Sequence, residues 1–65
     1  MSNTNNQLAA TIQALQNDLT FLSQELHNLV GDDAITKEKK VVLMRKMVSI
    51  NDLIGHILKF QKLNL

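Results

Sequence analysis

Catalysis and metal binding need titratable or ligating groups gathered in one place, and this sequence supplies few of them. His27 and His56, six carboxylates and no cysteine are the whole stock. Without cysteine there is neither a disulfide nor a thiolate metal site. Asp32 and Asp33 are adjacent and would in principle hold a cation, but paired acids at a turn ordinarily cap a helix and face water. No glycine-rich phosphate loop, nucleophile motif or metal-ligand spacing occurs. The expectation is therefore a protein that is not an enzyme, with no cofactor, no metal and no small-molecule ligand.

The elements that would position any site are much better specified. Leu8, Ile12, Leu15, Leu19, Leu22, Leu26 and Leu29 recur at alternating spacings of four and three. That is a heptad seam, and the segment carrying it is a helix with one apolar edge. Residues 1–3 read as a disordered tail. Thr4 would cap a helix over 4–30, with Gln7 completing a capping box. Gly31 is the expected stop, residues 31–36 the turn, and Asp33 or Thr36 the cap of a second helix over 37–63.

The second helix carries a matching seam, Leu43, Met47, Ile50, Ile54 and Ile57. Laid antiparallel, the seams pair Leu26 with Leu43, Leu22 with Met47, Leu19 with Ile50, Leu15 with Ile54 and Ile12 with Ile57. This register centres the turn near residues 34–35 and brings Glu25 towards Lys46. It also sets the two histidines far apart. The fold class is all-α: an antiparallel hairpin of two long helices forming a single domain.

Helix two is apolar on more than its seam. Val41, Met44, Val48, Gly55 and Leu58 form a second stripe, and Val42, Leu53, Phe60 and Leu63 a third. Only Glu38, Arg45, Asp52 and Lys59, spaced by seven, make a polar edge. A helix apolar most of the way round is a buried helix, and one neighbour cannot bury it. A chain of 65 residues without disulfides also has little core of its own. The expected answer is dimerisation into a four-helix bundle.

Charge is divided along the chain. Up to Asp33 the only charged side chains are acidic and carry −4; the remainder carries +5, for a total of +1. Complementary charge between the packed helices is the simplest reading, and a basic surface for an acidic partner the sharper one. Met1–Asn6 is polar, with no basic or apolar leader region. Arg45, Lys46, Asp52 and His56 interrupt the most apolar window. A soluble cytoplasmic protein with no membrane partner is the expectation.

Two resemblances bear on function. The run Ser23-Gln24-Glu25-Leu26-His27 resembles the Ser-Gln-Glu-Leu-Asp signature of the small sporulation-control phosphatases, helical hairpins that dephosphorylate aspartyl-phosphate response regulators. Ser23, Gln24, Glu25 and Leu26 match, whereas His27 replaces the acid on which that family depends. The run also falls in the first helix, where the family carries it in the second. The architecture is similar to the RNA-binding hairpin dimers of the repressor-of-primer type, with no shared motif. That likeness implies a nucleic-acid surface built from Lys39, Arg45, Lys46, Lys59 and Lys62, although no aromatic residue is interleaved for stacking.

The functional expectation is a small regulatory or adaptor protein that binds or inhibits a partner protein and works as a homodimer. Its contacts would come from Phe21, Val41, Met44, Val48, Leu53, Leu58 and Phe60. The alternative is a nucleic-acid-binding hairpin dimer using the basic residues above.

Overall fold

The computed structural model describes residues 2–63, with side chains described from Asn6 onward. Helix α1 spans Ser2–Asn28 and helix α2 spans Ala34–Leu63. The two pack against each other as a hairpin, with no strand among the described residues. The Cα extents of 51 × 16 × 10 Å are those of a single layer of two helices. Among the described residues, no helix is long and apolar enough to cross a membrane.

The heptad seam is where the helices meet. On the α1 side the half-buried residues are Leu8, Ile12, Leu15, Leu19, Leu22, Leu26 and, just past the helix, Leu29. On α2 they are Thr36, Lys40, Met47, Ile50, Ile57 and Gln61, with Leu43 and Ile54 buried. Every other residue between 6 and 63 is exposed. Spacings of three and four keep one edge of each helix turned to its neighbour, so side chains at all other positions point to solvent.

The element boundaries differ from the sequence expectation by a few residues. Ser2 and Asn3 are helical, and Thr4 lies inside α1 rather than capping it. With no proline or glycine before Leu8, each further turn needs only one more hydrogen bond per residue once the helix is nucleated. Met1 lies outside the described residues. At the other end α1 stops at Asn28, two residues early. The Leu29 amide bonds back to the Leu26 carbonyl at 3.2 Å, an i→i+3 closure that tightens the last turn. Gly31 follows with φ +137°, a conformation that side-chain-bearing residues rarely adopt. A Cβ there would also stand 3.1 Å from Asp33 Oδ1.

Helix α2 begins three residues earlier than expected because Asp33, not Thr36, is its cap. The Thr36 amide donates to Asp33 Oδ2 at 3.1 Å and the Thr36 hydroxyl to Oδ1 at 2.6 Å. The Lys37 amide meets the Asp33 carbonyl at 3.0 Å, the first bond of the helical ladder. Lys40 occupies a seam position, and its ammonium lies 3.5 Å from the Gly31 carbonyl. Its stem covers the end of the seam while its charge reaches the turn.

Both helix-level features can be tested by circular dichroism. Leu19→Asp puts a carboxylate in the middle of the seam and is expected to abolish the cooperative melt; a helical, cooperatively melting variant contradicts the seam. Hydrogen bonds from the Thr36 hydroxyl and amide hold the Asp33 carboxyl below the usual carboxylate range. A pKa lowered by folding stabilises the fold above the unfolded-state pKa, and that contribution is lost as pH falls through the folded-state value. Asp33→Ala should therefore lower the melting temperature at pH 7, with the difference from the parent shrinking below about pH 4. Asp33→Asn, also a good cap, should retain most of the stability at pH 7. A pH-independent difference for Asp33→Ala rules out the charged cap.

Candidate functional site

What is left for function is the surface that the seam does not use. All seven apolar residues expected to make contacts are exposed: Phe21, Val41, Met44, Val48, Leu53, Leu58 and Phe60. Val48, near the middle of α2, is 69% open. An exposed valine is unremarkable singly, but steps of three and four residues align these side chains into continuous stripes.

Helical spacing splits them between two sides of the hairpin. Val41, Met44, Val48 and Leu58 share one side of α2, with Asn51 and Gly55 completing the row. Leu53 and Phe60 lie on the other, together with Val42, Lys39, Lys46, Ser49 and His56. Phe21 sits one turn from Glu25 on α1 and belongs to that second side. The expected contact residues are thus two surfaces rather than one.

A groove marks each side of the joint. The first, about 580 Å³, has Leu19, Thr20, Ser23 and Gln24 on its α1 wall and Met47, Val48 and Asn51 on its α2 wall. None of these seven carries charge. The pairing across it, Leu19 and Ser23 against Met47 and Asn51, agrees with the antiparallel register read from the seams. The second groove, about 650 Å³ and nearer the turn, brings Glu25, Asn28 and Leu29 together with Ile35, Glu38, Lys39, Val42 and Leu43, so Glu38 on the outer edge of α2 also reaches this side. Charge and apolar surface are mixed there.

Val30 and Ile35 belong to the exposed apolar surface and had no role in the sequence reading. Both fall at or beside the turn, where helical periodicity gives no signal. Their apolar type at positions open to water was the only clue.

The α1 surface is closed on itself. The Thr11 and Thr20 hydroxyls donate to the carbonyls of Gln7 and Gln16, and Gln13 donates to Asn17. Each bond stays within α1, so these polar side chains already have partners. The glycine in α2 is different. A Cβ built on Gly55 would meet nothing within 4 Å. Glycine inside a helix costs about 1 kcal/mol relative to alanine, and nothing within this chain requires it.

The charged residues do not converge on a site. The ion pair found among the described residues is within α2, His56 Nε2 to Asp52 Oδ2 at 3.2 Å with both groups exposed. Glu25 and Lys46 make no pair, and the opposite charges of the two helices are not consumed between them. Two long, solvated side chains gain little by being fixed together. Among the described residues no three His, Asp or Glu side chains come close enough to share a metal ion. In the phosphatase-like run, Ser23, Gln24 and His27 lie on one exposed stretch of α1, while Glu25 lines the opposite groove and Leu26 is in the seam. The basic residues are also spread. Lys39 and Lys46 are on the Phe60 side, Arg45 and Lys59 alternate with Glu38 and Asp52 on the outer edge, and Lys62 ends the Val48 row. No protein-family model matches this chain, and neither a curated protein nor a solved structure matches it, so function has to be read from these two surfaces alone.

Proposed function

We propose that this protein is a non-enzymatic binding module that acts through protein–protein contact, working as a homodimer with the open sides of α2 as its interfaces. One observation carries this: a helix with only Leu43 and Ile54 buried leaves Val41, Met44, Val48, Leu53, Leu58 and Phe60 about half exposed or more. Large contiguous apolar patches are uncommon on monomeric proteins and mark interaction sites, and here four of these side chains line one side of the helix and two the other. The hairpin is also short of core, since two buried side chains are little to hold a chain of 65 residues together. Association supplies the missing burial and stabilises the fold by mass action.

Nucleic acid as the partner has no comparable support. Its five candidate contacts, Lys39, Arg45, Lys46, Lys59 and Lys62, fall on three sides of α2, with Glu38 and Asp52 between them. A phosphate-tracking surface wants cations on one face.

Light scattering on a size-exclusion column tests the proposal. The expected mass is at least twice the 7.3 kDa of the chain, with a melt that shifts upward with concentration. Glutamate in place of Val48 or of Leu53 is expected to lower the association state while most of the helix signal survives. A monomer with a sharp, concentration-independent melt contradicts the proposal. Unchanged mass in both variants removes α2 as the interface.

A further inference from the structure

The side of α2 that carries Val48 has the pattern of a self-complementary, antiparallel surface. We infer that two copies of the chain pair α2 against α2 across a two-fold axis, through the row Val41, Met44, Val48, Asn51, Gly55 and Leu58. This rests on the protein-contact function proposed above and names both the occupant of one surface and its register.

The row is spaced 3, 4, 3, 4, 3, which reads the same in both directions. Reversed on itself about its midpoint, it sets Val41 opposite Leu58 of the second copy, Met44 opposite Gly55 and Val48 opposite Asn51. The longest side chain of the row then meets the residue that has none. The open space over Gly55 receives the half-exposed Met44 of the second copy, which gives the glycine a reason that nothing inside the chain supplies. A parallel pairing would instead stack Met44 on Met44 and leave a void between facing glycines.

The flanking charges agree independently. In antiparallel helix pairs, the residues bordering the seam on the same heptad position face each other. Here those are Glu38, Arg45, Asp52 and Lys59, which alternate in sign along the edge. Reversal brings Glu38 beside Lys59 of the second copy and Arg45 beside Asp52, so all four charges meet their opposites. Asp52 also holds His56 on its own helix. Only Lys37 and Lys62, at the exposed ends of the row, meet as like charges. The other border of the row is the seam itself, where Met47 faces Ile54 of the second copy and Lys40 faces Gln61. The α1 wall of the groove on this side adds Thr20, Ser23 and Gln24 and no charge, so the charges of the contact are those of α2 itself.

The absence of native cysteine allows the register to be read by oxidative cross-linking. Three variants are compared: Val41→Cys, Leu58→Cys and the double substitution. Within one helix these positions lie about 25 Å apart at 1.5 Å per residue, beyond any disulfide. The expected result is a covalent dimer from the double variant, and from an equimolar mixture of the singles, but from neither single variant alone. A covalent dimer from Val41→Cys alone would mean parallel pairing and overturn the inference. No cross-link in a protein that scatters as a dimer would place the contact on the Leu53 and Phe60 side, overturning the inference while leaving the proposed function standing. A monomer at all concentrations overturns both. Charge reversal gives a second reading: Glu38→Lys should raise the dimer dissociation constant several-fold, and Lys59→Glu added to it should restore the parent value. Failure of that rescue removes the antiparallel charge pairing.

Discussion

Two helices can touch along only one line, and most properties of this protein follow from that limit. Helix α1 has a single apolar edge and gives all of it to the seam. Helix α2 is apolar on three sides and can give only one. The mismatch leaves Leu43 and Ile54 as the buried residues and the remaining large side chains of α2 open to water. A third layer would cure this, but the molecule is one helix thick. Apolar surface left open in this way is what water drives together.

The seam was legible in the sequence almost residue by residue. Every apolar residue assigned to it, from Leu8 to Leu29 and from Leu43 to Ile57, is half-buried or buried. Periodicity works here because nothing competes with it: no strand, disulfide or ligand pulls a residue off its helical position. The ends of the seam were not legible. Thr36, Lys40 and Gln61 occupy seam positions despite being polar, and only packing reveals that their stems cover the last apolar layers. The helix ends were missed by two or three residues, since both Asp33 and Thr36 are good caps. The choice between them is made by a carboxylate that reaches two donors at once, which no residue count records.

The candidate surface was legible for the same reason in reverse. An apolar residue off the seam of a two-helix layer has nowhere to be buried, so Phe21, Met44, Val48 and the others had to be exposed. The residues alone already separated two apolar stripes on α2; what they did not assign was which stripe serves which contact. The side with Val48 is uncharged along its groove with α1 and meets charge only at its outer border, at Arg45, and at its ends, while the side with Phe60 mixes Leu53 and Val42 with Lys39, Lys46 and, across the joint, Glu25. Uncharged, regularly spaced rows suit permanent association, in which a surface is never returned to water. Apolar anchors rimmed by charge suit contacts that form and dissolve, because the rim steers encounter and rejects wrong partners. On that division the first side is the one the proposed dimer uses.

Among the described residues no polar side chain is buried. Enzymes shift their working groups by burying them or crowding them with charge. The Asp33 carboxyl is held below the usual carboxylate range, and the cause is the hydrogen bonds from Thr36 that start a helix. The acid is therefore committed to structure: protonating it would loosen the cap, and using it as a base would do the same. The turn it anchors also holds Gly31 in its unusual conformation and receives the Lys40 ammonium. Turn, cap and seam end form one unit whose work is to fix where α2 begins. Its start sets the phase in which the rows of Val48 and Phe60 face outward, so the exposed acid that most resembles a reactive group serves instead to aim two apolar surfaces.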